Sequence, residues 1–291
     1  MLEHIREGEV PAELAGAFRD IKHSLRLSYV PLFFQALAPV HGALKAVWRE
    51  LKPNARTRAF EEAAEDLRVE LVHAAVDLGT PLIEPVLQSA GFDVDELDEL
   101  RDQVLLFQYA DPKLLLCCKA LGPSLDGERV GGVRLAAPLL ATVPDTAEQE
   151  LPELHLSTEH PGGIAGEVLG EILRPAHLSV PTVGLRALTH WPAFLELAWE
   201  ELSPVLRHHG LEDALNEVSA AAARRARALP HPIELPPDRF ESPHHHAHAV
   251  RVTGLFAQAL PRLALFSTLL RVSLDGPEDA LEPPYPIVWE T

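Results

Sequence analysis

The stretch RALTHWPAFLELAWEELSP, residues 186–204, repeats a pattern that the chain has already used in QALAPVHGALKAVWRELKP, residues 35–53. When the two segments and their N-terminal flanks are aligned at an offset of 151 residues, ten of 34 positions are identical. The identical positions include Trp48 with Trp199, and a matched tryptophan is an uncommon coincidence in a chain that has four. The chain therefore contains the same structural unit twice.

A second match lies downstream at nearly the same offset, where YADPKLLLCCKALG at 109–122 resembles QALPRLALFSTLLR at 258–271. A period near 150 residues indicates a duplicated domain, because solenoid repeats are much shorter. We expect two tandem repeats, residues 1–125 and 161–291, joined by a linker at 126–160 that is rich in proline, glycine and acidic residues. Two similar halves are expected to pack about a pseudo-twofold axis, as homodimer subunits do.

Each half has the periodicity of helices. Apolar side chains between residues 31 and 51 recur at the spacing of one helical face, and Pro39 divides this run into two helices. Pro192 is expected to do the same in the second copy. Residues 56–78 predict a longer amphipathic helix, whereas the alternation typical of strands is confined to short segments such as VRVTG. The sequence predicts an all-α fold.

Composition restricts the classes of partner. The formal net charge of −18 argues against binding to nucleic acid or to an anionic membrane surface, because such faces need clustered lysine and arginine. No window reaches the roughly 18 uninterrupted apolar residues of a membrane span, and the charged N-terminus does not resemble a signal peptide. Two adjacent cysteines, Cys117 and Cys118, lie in an apolar run typical of a reducing compartment. We expect a cytoplasmic protein, either a monomer or a homodimer.

Two features resemble the group I 2-haloacid dehalogenases. One is the paired pattern of a QAL or RAL step followed by proline, leucine, tryptophan and proline, and the other is an apolar helix opened by ADPK. The resemblance spans about residues 17–273 and includes the duplication. It implies an all-α pseudo-dimer around a buried pocket for a small organic acid, with no metal or organic cofactor. It also implies that water displaces halide directly from the α-carbon, with inversion.

The resemblance assigns two catalytic positions. The activating aspartate of the family falls on Gly184, in VGLRAL, so the expected base is absent there. The asparagine that orients water falls on Asp111, in ADPK, where a carboxylate replaces the amide. Asp111 has a second interpretation from the residues alone, because aspartate before proline is typical of a helix N-cap with proline at its first position.

Four further positions are candidates for substrate binding. Tyr29, Phe33 and Phe34 match aromatic wall positions of the family, although phenylalanines at helical spacing are usually core residues. Arg186 could bind a carboxylate through two hydrogen bonds, but an ordinary salt bridge is the alternative.

A different hypothesis comes from ESPHHHAHAV at 241–250, where His244, His246 and His248 have spacings that could bind zinc or nickel. Histidines that follow a proline are more often solvated residues at the start of a helix. Three hypotheses for function follow: a haloacid dehalogenase-like hydrolase, an inactive homologue that binds small acids or has a structural role, and a metal-binding protein.

Overall fold

The fold is built from α-helices. The computed structural model describes residues 2–143, 151–156, 162–287 and 289, and within these ranges no strand longer than an isolated bridge is present. The first half contains α1 (Ala12–Leu25), α2 (Leu32–Leu37), α3 (His41–Ala55), α4 (Arg58–Asp77), α5 (Glu84–Ser89) and α6 (Val94–Leu125). The second half contains α7 (Gly163–Leu173), α8 (Val183–Leu188), α9 (Pro192–Leu202), α10 (Leu211–Arg227) and α11 (Pro243–Leu281). The predicted all-α class is confirmed.

The two long helices α6 and α11 pack against each other along the centre of the molecule. α6 begins at a capping box, in which Asp93 accepts from the backbone of Glu96 and Glu96 accepts from the backbone of Asp93. α11 begins after Ser242, whose side chain accepts from the backbone N–H of His245. Shorter helices surround this pair and bury a continuous apolar core.

The predicted breaks within each half are present. α2 ends at Leu37 before Pro39, and α9 begins at Pro192. Proline is tolerated at the first position of a helix because a backbone N–H there would have no partner within the helix. The amphipathic helix predicted at 56–78 is observed as α4. The predicted linker at 126–160 contains residues 144–150 and 157–160, which lie outside the described residues.

The two tryptophans matched by the repeat have the same hydrogen bond in both halves. Trp48 Nε1 donates to Asp20 Oδ2 over 2.7 Å, and Trp199 Nε1 donates to Glu171 Oε2 over 2.8 Å. Both bonds join residues 28 positions apart in the chain. The same contact therefore connects α3 to α1 and α9 to α7.

Two ion pairs are also matched between the halves. Lys113 Nζ lies 2.7 Å from Glu61 Oε1, joining α6 to α4. Arg262 Nη2 lies 2.6 Å from Glu212 Oε1, joining α11 to α10. The first pair is buried and the second is partly exposed, so the environments of the two pairs differ.

α11 is long and apolar enough to cross a membrane by length and composition alone, and it is the one described helix with this property. In the fold, 78% of its most apolar window is buried inside the protein. That burial is what a central helix of a globular core shows, because such a helix is apolar on all sides.

Candidate active site

A small cavity lies between α2, α6, α8 and α11, near the centre of the molecule. Its volume is about 30 Å³, which is room for about two water molecules at ~10–15 Å³ each. Most of its wall is leucine and phenylalanine. The polar side chains that line this inner cavity are Tyr29, Asp111, Thr182 and Ser267, and no lysine or arginine is among its described lining residues.

Asp111 and Ser267 form the polar centre of the inner cavity. The Ser267 hydroxyl donates to Asp111 Oδ2 over 2.8 Å, joining α6 to α11. Burial raises the pKa of the Asp111 carboxyl to about 7, and the hydrogen bond from Ser267 opposes this rise. A carboxyl with this pKa can accept or release a proton near neutral pH, as a general base must.

The N-cap interpretation of Asp111 is wrong. α6 continues through Asp111 and Pro112 to Leu125, so Asp111 lies inside a 32-residue helix. Pro112 cannot donate the backbone hydrogen bond of a helix interior, a loss that usually breaks a helix. Packing of α6 against α11, which has Pro261 in the matching position, overrides this local preference.

Gly184 lies in the wall of the inner cavity, but the space beside it is filled. A Cβ atom at this position would lie 2.7 Å from Cδ1 and 2.8 Å from Cγ of Phe107. The absence of a side chain at 184 therefore leaves no vacant carboxylate site, because the Phe107 ring packs directly against the glycine. Phe107 is buried and makes an edge-to-face contact with Tyr29, with ring centroids 6.3 Å apart.

The aromatic candidates separate into two groups. Tyr29 and Phe33 line the inner cavity, and Phe33 also packs edge to face on Phe256 at 5.6 Å. Phe34 does not line the cavity, because its ring is turned toward Trp48, with centroids 5.6 Å apart. Adjacent helical residues point about 100° apart, and this rotation turns the Phe34 ring toward Trp48 while Phe33 faces the cavity.

Arg186 does not line the inner cavity either. Gly184 and Leu188 of α8 face the cavity, and residue 186 lies about 200° around the helix from residue 184. The structure therefore places Arg186 outside the wall of the inner cavity, and its binding of a carboxylate stays a prediction.

The histidines of the predicted metal site have other partners. A ring nitrogen of His246 bonds to the Leu125 carbonyl at 2.9 Å, and one of His248 bonds to the Ala36 carbonyl at 2.9 Å. Over the described part of the chain, no group of three or more potential metal ligands is found. Because His244, His246 and His248 do not form such a group, the metal-site hypothesis is not supported.

Sequence reasoning missed Ser267 and Phe107. Ser267 lies in the apolar run LALFSTLLR, where a hydroxyl next to Phe266 is a polar interruption of α11. That interruption was a usable signal for a residue facing a polar partner. Phe107 gave no signal, because a phenylalanine in an apolar helix is indistinguishable from core.

Removal of the Ser267 hydroxyl should raise the pKa of Asp111 further. Ser267→Ala deletes a hydrogen bond that favours the ionised carboxylate, so we expect an increase of about one pH unit. Carbon-13 NMR titration of the aspartate carboxyls measures this value. The matched control is Ser273→Ala, since Ser273 is a buried serine of α11 that bonds to the Leu270 carbonyl. An unchanged Asp111 titration in Ser267→Ala would contradict the hydrogen bond.

Comparison with known proteins agrees with this architecture. The family described as halocarboxylic acid dehydrogenase DehI matches residues 28–150. A configuration-inverting 2-haloacid dehalogenase of Alcaligenes xylosoxydans xylosoxydans is 28% identical over 287 residues, covering 96% of both chains. An (R)-2-haloacid dehalogenase of Pseudomonas putida is 25% identical and covers 79% of this chain and 77% of its own.

The family match and these relatives support a DehI-like member of the group I family. The solved structures agree in fold: a D-2-haloacid dehalogenase in complex with L-LA superposes with a TM-score of 0.87, covering 94% of this chain and 96% of that one, at 23% identity. The curated relatives are 2-haloacid dehalogenases, which supports a haloacid dehalogenase-like function for this DehI-like chain.

Proposed function

We propose that this DehI-like protein binds a small 2-substituted carboxylic acid in the inner cavity and hydrolyses its carbon–halogen bond, with Asp111 as the base. The observation that supports this most strongly is the Asp111–Ser267 pair, a hydrogen-bonded carboxyl with a pKa near neutrality inside an apolar cavity. Because position 184 carries no side chain, Asp111 is the only described carboxyl in the cavity wall.

The proposed step needs no covalent intermediate. A water oxygen attacks the α-carbon of the acid, the carbon–halogen bond breaks, and its electron pair leaves with the halide. The ionised Asp111 carboxylate accepts the proton that the attacking water loses, which strengthens a poor nucleophile. Attack from the side opposite the halide inverts the configuration. Ser267 orients Asp111, and correct positioning of the water relative to the carboxylate is itself a large part of such catalysis.

The rest of the wall provides binding groups of two kinds. The Tyr29 and Thr182 side chains carry hydroxyls that can donate to a substrate carboxylate. The surrounding leucine and phenylalanine side chains offer an apolar site for the leaving halide. With no cation in the described wall, the cavity favours a small acid whose charge the hydroxyls can satisfy.

We further propose that the two halves are related by a pseudo-twofold axis through the inner cavity. Positions matched by the sequence repeats line it in pairs, at offsets of 151 and 149 residues. The pairs are Leu32 with Val183, Phe33 with Gly184, Phe107 with Phe256, Asp111 with Leu260, and Leu114 with Leu263.

The aromatic contacts support the same axis. Phe33 of the first half packs on Phe256 of the second, and Phe107 of the first half packs on Gly184 of the second. A twofold rotation exchanges these two contacts, since it relates position 33 to 184 and position 256 to 107. The asymmetry of the cavity then comes from substitution, because Asp111 is matched by Leu260.

The remaining expectations are part of the same proposal. The partner is a small organic acid, and neither nucleic acid nor a membrane is expected as a partner. We propose a cytoplasmic protein that acts as a monomer or homodimer, without a metal or organic cofactor.

Single turnover in water enriched in oxygen-18 tests the proposed step. Excess protein is mixed with each enantiomer of 2-chloropropionate, and the released halide and the 2-hydroxy acid are analysed. Direct attack by water places the label in the product of the first turnover and leaves the protein unlabelled. Label in Asp111 with an unlabelled first product would show instead that Asp111 forms an ester.

The alternative function is binding of a small acid without turnover. The absence of a carboxylate at position 184, where the Phe107 ring packs against Gly184, favours this alternative. It predicts that the acid binds but no halide is released from either enantiomer.

A further inference from the structure

A second cavity lies beside the inner one, and it is lined by three arginines. This arginine cavity, defined by Arg174, Arg207 and Arg262, has a volume of about 260 Å³. Leu263 and Phe266 line both cavities. One layer of side chains from α11 therefore separates the arginine cavity from the inner cavity.

The arginine cavity carries a net positive charge. The side chains of Arg174 and Arg207 belong to exposed residues, and among the described residues neither has an ion-pair partner. Arg262 is paired with Glu212 at 2.6 Å. The one carboxylate in the described wall, Glu171, accepts a hydrogen bond from Trp199 Nε1.

A cavity of the first half that includes Lys113 has the opposite charge. Its volume is about 310 Å³, and besides Lys113, the counterpart of Arg262, four carboxylates and only one further cation line it among the described residues. It shares no described lining residue with the inner cavity. Of these two cavities, only the arginine cavity combines a net positive charge with lining residues that also line the inner cavity.

We propose that the arginine cavity is the entrance through which a small carboxylate anion reaches the inner cavity. The use of this entrance by a substrate rests on the function proposed above, but the attraction of anions does not. A chain of net charge −18 repels anions at long range, so a local cluster of cations is needed to raise their concentration at one opening.

Phe266 is the side chain that has to move to admit the acid. It is buried in the partition between the two cavities and immediately precedes Ser267. An anion that enters from the arginine cavity and displaces the Phe266 ring arrives beside the Asp111–Ser267 pair. The inner cavity is then closed to water when Phe266 returns.

Quenching of Trp199 fluorescence tests the attraction of anions without any need for catalysis. Trp199 lines the arginine cavity, and its signal is obtained by difference from Trp199→Phe in each background. We expect Arg174→Glu with Arg207→Glu to reduce quenching by iodide several-fold and to leave quenching by neutral acrylamide unchanged. The control is Arg129→Glu with Arg227→Glu, which changes the net charge equally at two exposed arginines that do not line the cavity. Equal iodide quenching in both double variants would overturn the proposal.

Transport of the acid is tested with the same variants. We expect the arginine-cavity variant to lower kcat/KM for 2-chloropropionate by about tenfold at ~10 mM salt, and the difference to shrink at ~500 mM salt. If the protein releases no halide, the association rate of the acid, followed by stopped-flow fluorescence, replaces kcat/KM and should change in the same way. A variant that loses iodide quenching but matches the control in kcat/KM or association rate would refute the entrance. Absent halide release with a slowed association rate would refute the proposed hydrolysis and leave the entrance standing.

Discussion

Asp111→Asn is expected to lower the rate of halide release by about 10²–10⁴-fold, the usual contribution of a general base. Asparagine has nearly the same shape and can still accept the hydrogen bond from Ser267, but it cannot take a proton from water. In the wild type, the rate should rise with pH through the pKa of Asp111, about 7, because the carboxylate must be ionised to act. Halide release across pH 5–9 measures both effects.

The same substitution should stabilise the protein above neutral pH. The pKa of Asp111 is raised from 3.8 to about 7 by burial, so the folded state binds more protons than the unfolded state between these values. The free energy of unfolding therefore falls as pH rises from about 4 to about 7, by at most on the order of 4 kcal/mol. An asparagine side chain at this position cannot ionise, and the variant avoids this loss. Melting temperatures should be similar near pH 4 and higher for the variant near pH 8.

The control is Asp102→Asn, which makes the same chemical change on α6 at an exposed residue outside the cavity wall. It should leave halide release unchanged. If Asp111→Asn retained wild-type turnover, Asp111 would not be the base. If Asp111→Asn were no more stable than the wild type at pH 8, the apolar surroundings would not be raising the pKa of the Asp111 carboxyl.

Gly184→Asp alone is expected to destabilise the fold by about 4 kcal/mol or more. The new Cβ would lie 2.7 Å from Phe107, and overpacking of this kind costs ~1–3 kcal/mol before the burial of a polar carboxyl is added. The backbone of Gly184 is not among the positive-φ glycines, so the strain is one of space and not of backbone conformation. Restoring the family's aspartate by itself should therefore not create an active site.

Phe107→Ala should relieve this clash. Alone it is expected to cost ~3–5 kcal/mol, because it leaves a void in the wall. The double variant Phe107→Ala with Gly184→Asp should lose at least about 2 kcal/mol less stability than the sum of the two single losses. The reason is that the carboxylate occupies part of the space left by the ring. The folded double variant should release halide faster than Gly184→Asp, because a second base then faces the cavity.

The coupling between positions 107 and 184 is measured by denaturant unfolding of the wild type, the two single variants and the double variant. Gly184→Ala is the matched control, because it adds the Cβ without the carboxyl and separates the steric cost from the cost of polarity. Simple addition of the two separate costs would show that Phe107 and residue 184 do not compete for the same space.

The sequence by itself determined the class of fold and carried the resemblance to the group I 2-haloacid dehalogenases. Helical periodicity, the prolines that end helices, and a repeat at an offset of 151 residues are properties of local sequence, and α2, α3, α8 and α9 follow them. The matched Trp48 and Trp199 predicted two copies of one unit, and both have the same hydrogen bond to a carboxylate on another helix. These features are readable because short-range preferences and their repetition do not depend on long-range packing.

Only the tertiary structure decided what the candidate site contains. The local preference at Asp111 and Pro112 predicted a helix start, but packing against α11 holds both residues inside α6 and brings Ser267 to the carboxyl. The expected base is replaced by Gly184, and a ring 77 residues earlier in the chain packs against this position. Whether two residues distant in sequence form a hydrogen bond or fill the same space depends on how whole helices pack. No local sequence pattern encodes which residues become neighbours.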